Sequence, residues 1–304
     1  MRDTFVASLM ELAHQDKDIM FLTGDLGFGV FEEFENTFPN QYLNVGVAEQ
    51  NMVGLASGLS LEGKKVFTYS IANFATLRCL EQIRNDAAYH NLNINIVASG
   101  GGFTYGQLGM SHHASEDLSI MRALPNVTSI APCTAWEVGA ATKALVKMEG
   151  VGYLRIEKQT SADCGGDKGP VFSIGKARRI REGTDFTIIA TGGIFSEAIK
   201  AANKLEKHSI KCRVVSCHSL KPFDREEIID AAKNTGGIIT VEENNLIGGL
   251  GSAVAEVCLQ AGVMPKKFRT IGLNDRYSAI VGDQEYLRAY YSIDSGSIMK
   301  SVMS

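Results

Sequence analysis

A chain of 304 residues with 45% hydrophobic and 21% charged side chains has an ordinary globular composition, with room for about two domains. Its formal charge of −4, with no Lys/Arg block and no aromatic-basic interleaving, argues against nucleic acid and membrane surfaces as partners. No apolar run approaches the roughly 18–20 residues that span a bilayer.

In chain order, the first element is an amphipathic helix carrying Phe5, Leu9, Leu12 and Ala13 on one face. Asp3, Glu11 and Asp16 interrupt that stretch, so it does not read as a secretory signal. Short β-rich runs then alternate with helical patterns. Strands are expected at 19–22, 65–68, 94–98, 127–131 and 151–156, and again at 186–190, 211–215, 237–241 and 268–271. Helices are expected at 74–90, 135–147, 195–207, 224–233 and 250–260. Alternation of this kind, with nearly all-apolar strands, predicts mostly parallel sheets covered by helices on both faces. The run "EKQTSADCGGDKGPVFSIG", rich in Gly, Ser, Asp and Lys, reads as a linker between two α/β domains. The six cysteines (79, 133, 164, 212, 217 and 258) form no C-x-x-C pair and no metal-ligand spacing, and read as reduced cytoplasmic thiols.

Several positions carry possible chemistry. Glu49 enters a thin helix made of Met52, Leu55 and Leu59 with Gly54, Ala56, Ser57, Gly58 and Ser60. Such a helix is expected to be buried, and burying an ionised carboxylate is costly. In "TGDLGFG" Asp25 reads as a turn residue or a site residue, and Phe74 ahead of Arg78 reads as core or as a platform for a planar ligand. His112 and His113 are adjacent and point apart on any regular element, so they form no two-histidine metal site. One of them suits the lip of a pocket. The glycine clusters 99–106 and 244–253 lack dinucleotide or P-loop spacing; they fit tight turns or ligand loops at strand ends equally well.

The segments "VGVAEQNMVGLASGLSLEGKKVFTYS", "RCLEQIRNDAAYHNLN", "GMSHHASEDLSIMRALPN", "APCTAWE", "CHSLKPFD" and "VEENNLIGGLGSAVAEV" follow one another in the order of a transketolase C-terminal half. The chain resembles that family over nearly its whole length. The resemblance implies a pyrimidine-binding thiamine-diphosphate domain at 1–158, a linker at 159–174 and a transketolase C-terminal domain at 175–304. It matches Glu49 to the glutamate that hydrogen-bonds the aminopyrimidine of thiamine diphosphate and favours its imino tautomer, for which a neutral carboxyl is expected. By the same resemblance Phe74 packs on the pyrimidine, Asp25 and Arg78 lie beside the cofactor, and His112 lines the substrate channel as a catalytic residue, followed here by His113 where the family has Gln.

The sequence also departs from the family. Leu108 replaces an aspartate expected to bind a substrate hydroxyl, Gly100 stands where transketolases proper have a histidine, and Lys158 stands in for an arginine. These changes, together with His112 and His113, outline an atypical substrate wall. The "G-D-G…N" module that holds Mg²⁺ and the diphosphate has no proper counterpart. The resemblance therefore implies the C-terminal subunit of a two-subunit enzyme in an α2β2 assembly, its partner an N-terminal subunit that carries Mg²⁺. The expected reaction moves a two-carbon ketol unit between sugars or sugar phosphates. The competing readings are a beta chain of a 2-oxo-acid dehydrogenase, a deoxyxylulose-phosphate-synthase-like enzyme and a regulatory or assembly subunit.

Overall fold

The computed structural model describes residues 1–157 and 171–304; Lys158 and most of the expected linker lie outside them. The chain is α/β and builds two sheets. The first contains β1 (Ile19–Thr23), β2 (Tyr42–Asn44), β3 (Lys65–Ile71), β4 (Ile94–Ser99), β5 (Val127–Ile130) and β6 (Val151–Ile156). The second contains β7 (Arg178–Arg181), β8 (Phe186–Thr191), β9 (Cys212–Ser216), β11 (Ile238–Asn245) and β12 (Phe268–Leu273). One short strand, β10 (Ser219–Lys221), comes from the second half of the chain but pairs with β5.

The strand orders are β10-β5-β6-β4-β3-β1-β2 and β12-β11-β8-β9-β7. All pairings are parallel except β10 on β5 and β7 on β9. Every residue of β4 and β6 is buried, as expected for central parallel strands with both faces covered. On one face of the first sheet Phe5 and Leu9 meet Phe21, Phe67, Val138 and Leu145. On the other, Met52, Val53 and Ala56 pack with Ile83 and Met121. The second sheet is sandwiched likewise, by helices Phe195–Glu206 and Ser295–Met303 on one side and Arg225–Asn234 and Leu250–Gln260 on the other.

Two expectations need correction. The helix expected at 74–90 is broken into an α-turn at Ala72–Thr76, a 3₁₀ turn at Leu77–Cys79 and a π-helical turn at Ile83–Ala88. The Thr76 hydroxyl donates to the Ala72 carbonyl at 2.6 Å; such back-bonding bends a helix and disturbs its ladder. The thin helix Glu49–Leu61 is buried along one side only. Met52, Val53, Ala56 and Ser57 face the core, whereas Gly54, Leu55, Gly58 and Leu61 are exposed. A methyl group added at Gly54 or Gly58 would meet nothing within 4 Å.

Buried charge joins the two halves. Glu137, fully buried, closes a capping box with Thr134 at the start of Ala135–Leu145. Its other oxygen accepts from Arg178 of β7 at 2.7 Å and from the Ser216 hydroxyl of β9 at 2.8 Å. Arg155 on β6 donates to Asp117 at 3.2 Å and to the Glu243 carbonyl at 2.8 Å. The Glu243 carboxylate accepts from the Phe103 amide at 2.7 Å and from Arg288 at 2.7 Å. Burial, and then the nearby Glu243 charge, push the Glu157 carboxyl above the usual carboxylate range.

Candidate functional site

Four elements converge on Glu49 at the carboxyl ends of β1 and β3, where open α/β sheets place their ligand crevices. Glu49 is the first residue of its helix and only 1% exposed. Its Oε1 accepts from the Ser70 hydroxyl on β3 at 2.8 Å, and its Oε2 accepts from the Arg78 guanidinium at 2.6 Å. The backbone after β1 passes close by: a Cβ on Gly24 would stand 3.5 Å from Glu49 Oε1. A carboxylate in this position answers its burial cost with one hydroxyl and one cation.

Arg78 makes a second contact. Its guanidinium carbon lies 4.2 Å from the centre of the Phe74 ring, in cation–π geometry. Phe74 is half-buried and meets the His112 ring edge-on at 5.0 Å. The His112 loop is fastened by Asn73, whose side-chain amide donates to the Ser111 carbonyl at 2.6 Å. The Ser111 hydroxyl lies 3.0 Å from His112 Nδ1. Glu49, Arg78, Phe74 and His112 thus form one continuous chain of contacts running from a buried carboxylate to a half-exposed imidazole.

Asp25 lies beside this chain. It is exposed, takes a left-handed φ of 55°, and exchanges two hydrogen bonds with Asn44 at 3.0 and 3.2 Å. Leu108, 56% exposed, ends the 3₁₀ turn Gly106–Leu108. His113 turns the other way from His112: it is buried, packs edge-on against Phe103 and has Nε2 3.3 Å from the Gly106 carbonyl. Burial lowers its pKa and favours the neutral ring. Gly100 is buried at a φ of +82°, and a Cβ there would collide with the Tyr105 ring at 2.2 Å. Tyr105 therefore fills the space a side chain at position 100 would take.

Sequence reasoning does not single out Ser70, Asn73 or Tyr105. Ser70 lies two residues beyond the strand expected at 65–68 and falls within the observed strand Lys65–Ile71. Among the described residues, no group of three or more His, Cys, Asp or Glu side chains is arranged to hold a metal ion.

The pair Glu49 and Phe74 can be tested for fit to a planar nitrogen heterocycle by what they hold now. A guanidinium is flat and carries N–H donors on its edge; Glu49 accepts from that edge while the guanidinium carbon sits over the Phe74 ring. An aminopyrimidine offers a flat face of the same kind to Phe74, and a ring nitrogen that accepts, rather than donates, a hydrogen bond at Glu49.

Comparison with known proteins gives the same architecture. Residues 1–162 match the family described as "Transketolase, pyrimidine binding domain", and residues 175–298 match "Transketolase, C-terminal domain". The chain is 37% identical to one of the subunits of apulose-4-phosphate transketolase from Phocaeicola vulgatus, covering 99% of this chain and 96% of that protein. It is 36% identical to the 6-deoxy-6-sulfo-D-fructose transketolase subunit SqwH of Clostridium sp. strain MSTE9, over 99% and 92%. Among solved structures, it superposes with a TM-score of 0.90 and 35% identity on one described as "Split gene transketolase, inactive beta4 tetramer", covering 99% of this chain and 96% of that one.

Proposed function

Since the chain belongs to the transketolase family, we propose that it is the C-terminal subunit of a two-subunit, thiamine-diphosphate-dependent enzyme that transfers a two-carbon ketol unit from a ketose to an aldose. The observation that carries this reading is the buried Glu49 holding a planar N–H group against Phe74. When bound, thiamine diphosphate supplies the carbon nucleophile for ketol transfer. This chain's part is to hold and polarise the pyrimidine end. Glu49 would place a proton on a ring nitrogen from Oε2, the oxygen that now accepts from Arg78. Ser70 would keep Oε1 fixed, and Phe74 would support the face of the ring. Asp25 would stand at the edge of the cofactor site and His112 would exchange protons with the substrate. Gly100, Leu108, His113 and Lys158 belong to the proposed substrate wall; of these Leu108 presents the largest exposed apolar surface among the described residues.

The diphosphate and Mg²⁺ are assigned to a separate N-terminal subunit, in an α2β2 assembly in the cytoplasm. Supporting this partner, apolar side chains stand exposed next to the site residues: Phe28 at 79%, Val47 at 72% and Leu77 at 42%. The relatives described as subunits, and the one described as an inactive beta4 tetramer, support a chain that works only with a different partner.

Reconstitution tests the proposal. The chain, an N-terminal transketolase subunit, thiamine diphosphate and Mg²⁺ are combined and assayed for ketol transfer and for 2-oxo-acid decarboxylation. Ketol transfer is expected only from the complete mixture, and Glu49→Gln should lower turnover by roughly 10²–10⁴, the range for loss of a positioned proton donor. Turnover by the chain alone, or consumption of a 2-oxo acid only, would overturn the reading.

A further inference from the structure

A groove of about 650 Å³ lies between the two halves of the molecule and shares no lining residue with the Glu49 cluster. Its walls are the helix Asp117–Ala123, the segment running from β10 to Arg225, and the helix Leu250–Gln260. The size lies within the range of small-molecule pockets.

The charges in it are unevenly matched. Arg122, Lys221 and Arg225 face the groove, against the single carboxylate of Glu256 among the described residues. Arg122 donates to Glu256 and, at 3.2 Å, to the Gly248 carbonyl. Arg225 donates to the Gln260 side-chain carbonyl at 2.8 Å. Lys221 donates to the Leu124 carbonyl, and no ion pair to a carboxylate is formed by it among the described residues. Burial and the neighbouring Arg122 charge both lower its pKa. Among the described residues, this half-buried ammonium near a guanidinium has no counter-charge of its own, an arrangement that costs free energy until an anion offsets it. The remaining wall is apolar, formed by Leu220, Phe223 and Val257.

We propose that this groove binds a small organic phosphate, its phosphate group set against Lys221 and Arg122 and its carbon body against Phe223 and Val257. A phosphate dianion can take the point charge of the lysine and two donors of the arginine at once. Glu256 competes with it for Arg122. Because the walls come from both halves of the chain, the ligand would tie the two domains together. The proposal is independent of the role assigned to Glu49.

The test uses the full chain and three probes: inorganic phosphate, phenyl phosphate and phenol, titrated by calorimetry at fixed low salt. Phenyl phosphate is expected to bind saturably and about tenfold tighter than inorganic phosphate, in keeping with burial of an apolar ring; phenol should not bind. Lys221→Met should weaken phenyl phosphate about tenfold or more, the scale of one charge-assisted contact. Glu256→Gln, which removes a competitor from an exposed position, should tighten it several-fold. Arg78→Met should leave it unchanged. Absence of saturation, equal affinity for the two phosphates, or a Glu256→Gln variant that binds no better than the parent would each overturn the assignment. Glu256→Gln keeps the test decisive even if Lys221→Met folds poorly.

Discussion

Arg78, which the resemblance places beside the cofactor, contacts both groups that the aminopyrimidine is proposed to use, and on that proposal it would compete with the ring. Its side chain is 40% exposed, so solvent screens part of its attraction to Glu49, and the ion pair and the cation–π contact together oppose the ligand by about 1 kcal/mol or somewhat more. Arg78→Met is therefore expected to tighten thiamine diphosphate binding roughly three- to tenfold in the reconstituted assembly, measured by quenching of intrinsic fluorescence. Weaker binding would mean that Arg78 holds the cofactor rather than yielding to it. Glu49 stands out in the sequence as a carboxylate entering a thin apolar helix, whereas Phe74, Arg78, Asp25 and His112 are assigned to the site by the family resemblance. Their pairing is not legible there, because Glu49 and Arg78 are 29 residues apart and only the fold brings their helices together. Gly100 shows the same limit. In the sequence it stands only as the replacement of a family histidine, whereas in the fold Tyr105, five residues on in an irregular loop, fills the space beside it.

The helix Glu49–Leu61 shows what an element can say about its surroundings. Its small residues predict packing into a core, yet Gly54 and Gly58 face open space while Met52, Val53 and Ala56 face the core. Small residues on the outer side of a helix let another backbone approach closely. Gly58→Leu should raise the intrinsic helix preference by up to about 1 kcal/mol and leave the chain folded. The same change should block assembly with the N-terminal subunit, which sedimentation of the mixture will read. Normal assembly of that variant would remove this face from the proposed interface. Strongly periodic elements such as Leu250–Gln260 match their sequence patterns. Besides the helix Ser295–Met303, which is not among the expected helices, those that escape are short or irregular. The strands β2 and β10 have three residues each, too few to show alternation, and β7 reads "RRIR", whose charges suggest a solvent-exposed loop. The broken helix at Ala72–Ala88 keeps an unbroken apolar pattern, so its 3₁₀ and π turns leave no mark in periodicity.

At the scale of the molecule, buried carboxylates make stability depend on pH. Glu242 on β11 is fully buried, and burial pushes its pKa up to about 7 although the Gly251 and Leu250 amides favour the charged form. A carboxyl that is harder to ionise when folded favours folding at low pH. That advantage is complete below its ordinary value near 4.5 and declines as pH rises towards 7, because the unfolded chain ionises first. Over that window the parent chain should lose up to about 3 kcal/mol more stability than Glu242→Gln, judged from urea unfolding at pH 5 and pH 8. Parallel pH profiles for the two chains would mean that Glu242 ionises normally in the fold.

The pairing of β10 with β5 has a consequence for how such a chain can be handled. A cut between residues 157 and 171 would not yield two finished parts. It would leave β5 as a bare sheet edge, with unpaired N–H and C=O groups ready to recruit other chains. The complementary piece would carry a three-residue strand with no sheet to join. Separating the halves at this point would thus be expected to produce aggregating pieces.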